Sequence, residues 1–187
     1  MALKVRHQLM DNVELRQTLE AMASRIHEAS EDRRLILLGI ERRGAPLAER
    51  LSGFLTKLGH EVVVGKLDIN LYRDDLTKVA SQPIVRKTEL PGDIEGQDVV
   101  LVDDVLYTGR TVRAAMEALN DYGRVKSLKL AVLIDRGSRE LPIEPNFVGQ
   151  KIEAADDEIV EVRLEEVDGT DDVRILERGQ ASDSGQE

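Results

Sequence analysis

The stretch Val99-Val100-Leu101-Val102-Asp103-Asp104-Val105-Leu106-Tyr107-Thr108-Gly109-Arg110-Thr111 decides how this chain is read. Four apolar β-branched or aliphatic residues predict a buried strand, and the strand runs straight into two acids. A short Thr/Gly turn follows, then residues suited to a helix. Acids at a strand end can hold sugar hydroxyls or a metal. A turn of hydroxyls and glycine that opens a helix directs backbone N–H groups at an anion, and the helix N-terminus favours negative charge. The order therefore points to a sugar phosphate. Taken alone, Asp103-Asp104 could be a polar turn with Asp104 capping a helix, and Thr108-Gly109-Arg110-Thr111 a simple helix start. Two adjacent acids are costly at a strand end unless something positive or hydroxylated meets them.

Around this segment the pattern alternates. Asp11 and Glu14 form a capping-box pair, and Val13, Leu15, Leu19, Met22 and Ile26 predict a helix over about 12–30. Leu35–Ile40 is a continuous apolar run, read as a buried strand. Glu41-Arg42-Arg43-Gly44 is a loop, and a helix is expected over about 45–58, with Pro46 in its first turn and Gly59 at its C-terminal cap. Glu61–Leu71 reads as a long strand, 72–93 as a long loop of the kind that is functional or mobile. Further expectations are a strand at 99–102, a helix over 111–122 closed by Gly123, a strand at 128–134, chain breaks at Pro142 and Pro145, and strands at 159–164 and 173–176. Residues 1–178 are read as one domain and 179–187 as a disordered acidic tail. Alternating strands and helices imply right-handed crossovers and a parallel sheet covered on both faces. Ligands bind beyond the carboxyl ends of such strands, so Glu41–Gly44, Asp103–Thr111 and Asp135–Arg139 are expected in one cleft.

The 187 residues suit one domain with an aliphatic core, since only 3% are aromatic. No cysteine is present, which excludes disulfides, thiolate metal sites and Cys nucleophiles. No window has the roughly 18 apolar residues that span a membrane, and a cytoplasmic protein is expected. The net charge of −10 is uneven: residues 1–150 carry 22 Lys+Arg and 23 Asp+Glu, residues 151–187 carry 4 and 13. That acidity argues against broad nonspecific nucleic-acid binding without excluding a local basic face. Gly65-Lys66-Leu67 is no P-loop, and no Gly-x-Gly-x-x-Gly occurs. His7, His27 and His60 have no metal-ligand spacing and read as surface residues.

Val99–Thr111 resembles the phosphoribosyl-pyrophosphate (PRPP) signature of type I phosphoribosyltransferases. Four blocks narrow the likeness: Gly39-Ile40-Glu41-Arg42-Arg43-Gly44; Asp68-Ile69-Asn70-Leu71-Tyr72-Arg73-Asp74-Asp75-Leu76; Val102–Ala114; and Asp135-Arg136-Gly137-Ser138-Arg139-Glu140-Leu141-Pro142-Ile143. Together they resemble the PyrR family, regulators of pyrimidine operons that are also uracil phosphoribosyltransferases, over about residues 10–177. The resemblance implies an α/β fold: a central, mostly parallel sheet flanked by helices, with a small hood and a flexible active-site loop. It implies that Asp103 and Asp104 bind the ribose 2′ and 3′ hydroxyls, with Mg²⁺ arriving with PRPP and meeting these acids. Tyr107, Thr108, Gly109, Arg110 and Thr111 would hold the 5′-phosphate. Arg42, Arg43 and Gly44 would hold pyrophosphate, with Arg86 and Lys87 on the closing loop. Asp135 and Arg136 would lie beside uracil, and the Val160 carbonyl would complete base recognition. The implied partners are PRPP, uracil, UMP or UTP, a pyrimidine-operon leader mRNA, and further copies of the chain in a homodimer or higher oligomer.

Two positions depart from the family pattern. Ser138 stands where the family block has His, and Arg42 stands where its pyrophosphate loop has Thr. Both lie near the face proposed to bind RNA, for which Arg16, Arg25, His27, Arg42, Arg43, Arg136 and Arg139 are the candidates here. An ordinary solvated surface plus active-site arginines is the alternative. A salvage enzyme without RNA binding, and a phosphoribosyltransferase for a purine base, are the competing functions. A receiver-like signalling domain also pairs acids at a strand end, but places them early in the chain.

Overall fold

The computed structural model describes residues 3–30, 34–70 and 88–178. Its elements in chain order are β1 (Leu3–Met10), α1 (Asn12–Glu28), β2 (Leu35–Ile40), α2 (Gly44–Lys57), β3 (Val62–Leu67), β4 (Asp98–Leu106), α3 (Arg110–Asn120), β5 (Ser127–Asp135), β6 (Phe147–Lys151), β7 (Glu158–Arg163), α4 (Glu165–Asp168) and β8 (Asp172–Arg178). Five strands form a parallel sheet in the order β3-β2-β4-β5-β6. The other three form a small antiparallel sheet, β1-β8-β7.

The continuous apolar runs fill both faces of the parallel sheet. Leu35 and Leu37, Val100 and Val102, Ala131 and Leu133 pack with Leu15, Leu19, Met22, Leu47 and Leu51 of α1 and α2. The alternate residues Ile36, Leu38, Ile40, Val99, Leu101, Leu130 and Val132 pack with Val112, Ala115 and Ala118 of α3. Strand periodicity of two thus sends each run to two cores, as a sheet covered on both faces requires. α1 begins with the expected capping box: Asp11 accepts from the Val13 and Glu14 amides, and Glu14 accepts from the Asp11 amide.

Five elements differ from the expected pattern, one of them α4, a single turn between the two expected strands. β3 ends at Leu67 because Asp68 forms a turn, accepting from the Asn70 amide at 2.9 Å while its own amide donates to Thr88 Oγ1 at 3.1 Å. β4 runs on through the acids to Leu106 because β5 pairs with it that far, Asp103 opposite Val132 and Leu106 opposite Asp135. β6 forms beyond Pro142 and Pro145, where only chain breaks are expected. β1 is an additional exposed edge strand whose mixture of Leu, Val, Lys, Arg and Gln has no single reading. Most of the loop expected at 72–93, and the tail at 179–187, lie outside the described residues. Among the described residues no helix is long and apolar enough to cross a membrane.

Candidate functional site

Parallel pairing puts the carboxyl ends of β2, β4 and β5 side by side, which gathers the three expected strand-end features. The contact between the first two is backbone on backbone. A Cβ at Gly44 would lie 2.2 Å from the Val102 carbonyl oxygen, and one at Gly39 would lie 2.3 Å from the Ala45 Cα. Only glycine lets the Glu41–Gly44 loop settle against β4 beside Asp103. The Glu41–Arg42 peptide bond is cis.

Asp103 is buried, and its carboxylate accepts from the Asp104 amide at 2.9 Å. Burial raises its carboxyl well above the usual carboxylate range, and the neighbouring Asp104 charge adds to the rise. Asp104 is half-buried and accepts from the Val105 amide at 2.9 Å. After Leu106 the chain turns through Thr108, whose hydroxyl accepts from the Arg110 amide at 3.3 Å. Gly109 is the N-cap residue of α3, at φ 92°, and has no side chain with which to cap the helix. A helix of this length that opens on a left-handed glycine, with no side chain from its N-cap residue, is an anion-binding geometry. Arg110 pairs with Glu140 at 2.6 Å at the rim of this turn.

Arg43 lies across from the acids. Its Nε and Nη2 donate to Asp168 at 3.1 and 2.9 Å, and that pair holds the guanidinium above its ordinary pKa against the opposing effect of burial. Asp168 belongs to α4 and is held below the usual carboxylate range, first by Arg43. No sequence pattern signals this partner, because α4 is a single short turn. Arg42, the loop's other cation, adds to the lowering of Asp168 by its charge. Arg86 and Lys87 lie outside the described residues.

On the far side, Arg136 is buried. Its Nη2 donates to the carbonyls of Ala155 at 2.8 Å and Glu158 at 3.0 Å, the segment that leads into β7 and Val160. Arg139 donates to the Asp135 carboxylate at 2.6 Å and to the carbonyls of Tyr107, Gly137 and Ile143. Beside them a cavity of about 510 Å³ is lined by residues that include Asp135, Ser138, Arg139, Lys151 and Ile152. Lys151 and Ile152 are not among the sequence-derived candidates, because the strand that delivers Lys151 sits behind two prolines.

Of the residues expected to make a basic face, Arg42 is exposed on the loop after β2. Arg43, Arg136 and Arg139 are engaged inside the cleft as described. Arg25 donates to the Val148 carbonyl at 2.6 Å. Arg16 sits in a groove between α1 and α2 with Arg50 and Lys57. His27 packs edge-on against His60 with ring centroids 4.6 Å apart, and His60 is buried rather than at the surface. Both lie at the ends of elements that precede β2 and β3, opposite the cleft.

A phosphoribosyl transferase domain model matches residues 6–167. The chain is 54% identical over 172 residues to Bifunctional protein PyrR of Pelotomaculum thermopropionicum, covering 91% of this chain and 95% of that protein. It is 50% identical over 178 residues to Bifunctional protein PyrR of Thermus thermophilus, covering 94% and 98%. The chain belongs to the PyrR family. Solved structures extend the likeness in fold beyond PyrR. A hypoxanthine-guanine phosphoribosyltransferase of Bacillus anthracis superposes with a TM-score of 0.70 at 17% identity, covering 91% of this chain and 98% of that one. A hypoxanthine phosphoribosyltransferase of Trypanosoma cruzi gives 0.72 at 22%, covering 92% and 95%. The expected type I phosphoribosyltransferase architecture is thus the fold of this PyrR chain, and β1-β8-β7 is its hood.

Proposed function

We propose that this protein transfers the phosphoribosyl group of PRPP to uracil, giving UMP and pyrophosphate, and regulates pyrimidine genes by sensing UMP or UTP and binding leader mRNA. One juxtaposition carries the enzymatic reading. An acid pair with Asp103 buried, a glycine-led helix start and an arginine loop meet at one end of a parallel sheet, in a chain about half identical to PyrR proteins along nearly its whole length.

In this reading the α3 N-terminus and the Thr108–Thr111 turn bind the 5′-phosphate, and Asp103 and Asp104 accept hydrogen bonds from the ribose hydroxyls. Uracil N1 attacks ribose C1′ as the C1′–oxygen bond to pyrophosphate breaks. Positive charge develops on the ribose, and the nearby carboxylates stabilise it. Arg42 and Arg43 neutralise the departing pyrophosphate, while Asp135, Arg136 and Val160 orient the base. Among the described residues no group of three or more ligating side chains stands ready for a metal. The residues fit a Mg²⁺ that arrives with the substrate phosphates and meets one or both of Asp103 and Asp104, since this ion takes few carboxylates and several phosphate or water oxygens. When bound, it would supply charge neutralisation at the leaving group.

The test is a PRPP-dependent assay with uracil, competed by hypoxanthine. UMP formation that hypoxanthine does not inhibit is expected. Nucleotide formed from hypoxanthine alone would replace uracil by a purine. Asp104→Asn is expected to cut turnover at least tenfold with the fold intact by circular dichroism, and unchanged turnover would remove Asp104 from the site. For the regulatory half, leader RNA should be retained more strongly with UMP than without it, and retention should fall with salt. For assembly, sedimentation should show a homodimer or a larger homo-oligomer.

A further inference from the structure

Tyr107 stands at the head of the phosphate turn and is 40% exposed, and one face of its ring is occupied. The guanidinium carbon of Arg136 lies 3.8 Å from the ring centroid, a stacking distance. Arg136 is only 5% exposed; its Nη2 serves two carbonyls, and its buried Nη1 has no hydrogen-bond partner among the described residues. A buried guanidinium with an unmade N–H is expensive, and the aromatic face is the contact that offsets it.

The backbone follows the same route. The Arg136 amide donates to the Leu106 carbonyl at 2.9 Å, and Arg139 Nη1 donates to the Tyr107 carbonyl at 3.0 Å. The Glu140 and Leu141 amides both donate to the Thr108 carbonyl at 3.0 Å. A continuous path therefore leads from the phosphate turn, through the Tyr107 ring and Arg136, to the Ala155 and Glu158 carbonyls at the start of β7. It crosses the cleft from the phosphate side to the base side.

We infer that Tyr107 is a positioning residue: its ring fixes the Arg136 guanidinium, and so sets the base side of the cleft according to the state of the phosphate turn. The inference rests on the uracil phosphoribosyltransferase reading above. The ring face is what matters, and the hydroxyl has no part in it. Binding of a sugar phosphate and binding of the base are then coupled, and coupling is reciprocal.

Initial rates with PRPP and uracil varied together test this in the native protein, Tyr107→Leu and Tyr107→Phe. Tyr107→Leu is expected to raise the uracil KM roughly 5- to 30-fold, the scale of one desolvated cation–π contact. The PRPP KM should move less than about threefold, because the turn's amides and the α3 N-terminus remain. Tyr107→Phe should restore the uracil KM. In calorimetry, ribose 5-phosphate should tighten uracil binding to the native protein, and this effect should vanish in Tyr107→Leu. Equal shifts in both KM values, no shift, or no rescue by Phe would overturn the inference. Should Tyr107→Leu not fold, Arg136→Lys removes the planar fork and keeps the charge. A normal uracil KM in that variant would also overturn it. A native protein that makes no UMP from uracil sinks the reading of the previous subsection instead, and is recognised before any variant is compared.

Discussion

Asp103 holds a carboxylate that water does not reach, and the molecule bears the cost when no ligand is bound. Its carboxyl is raised in the folded state, so the native form binds the proton more tightly than the unfolded form. Below the ordinary carboxylate value near 3.8 both forms are protonated and nothing is lost. As pH rises from there towards the raised value, stability falls, and the deficit persists above it. Asp103→Asn removes the deficit, so the variant should melt higher than the native protein at neutral pH, by about 2–4 °C for each kcal/mol relieved. The gap should close towards pH 3, and transfer activity should drop sharply. Melting curves at several pH values check this, and a lower melting point for the variant at neutral pH would contradict it. Gly44 is the complementary case of a residue chosen for its absence of side chain. With 2.2 Å available before the Val102 carbonyl, Gly44→Ala has to push the loop off β4. A loss of about 1–3 kcal/mol is expected in urea unfolding, accompanied by a raised PRPP KM.

At the scale of elements, α2 and the loop leading into it hold the hood in place through two arginines, seven residues apart. Arg43 grips Asp168, while Arg50 binds Glu166 and Asp171 at 2.6 and 2.7 Å. Burial works against the Arg50 charge, but the two carboxylates outweigh it and raise its pKa. Arg43 therefore has two claimants, Asp168 and the pyrophosphate proposed to bind its loop. Asp168→Asn weakens the first claim, and the PRPP KM should fall about two- to fivefold while stability drops by about 1 kcal/mol. Asp168 is lowered in the folded state, so its contribution is present above its ordinary value near 3.8 and disappears as pH falls through the lower folded value. The native and Asn proteins should thus converge in stability in acid, by urea titration at each pH. This latch was not legible in the sequence, because Glu165-Glu166-Val167-Asp168 has neither the length nor the periodicity of a helix. Legibility follows burial in the same way elsewhere. The fully buried strands β2, β4 and β5 announce themselves as apolar runs, and α1 announces itself by its capping box. β1 and β6 do not, because an edge strand has one half-wet face and no required pattern. The placement of Asp103 and Gly44 could be anticipated from a strand running into acids and a loop ending in glycine. The partners of Arg43 and Arg136 could not, since each is set by a segment distant in sequence.

Across the whole molecule, the acidic end turns out to be a fastening as much as a charge. Glu158, Glu161, Glu166, Asp168, Asp171 and Asp172 pair with Arg6, Arg174, Arg50, Arg43, Arg50 and Arg163. Beneath these ion pairs the two sheets share one apolar cluster: Met10, Val162, Leu164 and Val173 of the hood region pack with Leu15, Leu19, Leu47, Leu51 and Leu133. A shared core means that neither sheet can expose its inner face without unpacking the other, so residues 3–178 should unfold in one cooperative step. The protein has three Tyr and no Trp, and tyrosine emission and far-ultraviolet circular dichroism then report independently on local and global structure. Their urea transitions should coincide. Val173→Ala, which opens a hole where the hood meets α1 and α2, should lower both midpoints together, with a loss of about 2 kcal/mol and about 4–8 °C in melting temperature. Two separated transitions, or a Val173→Ala shift confined to one probe, would mean that the hood is a unit of its own. Arg43 would then be held by an independently opening lid rather than by a wall of the same core.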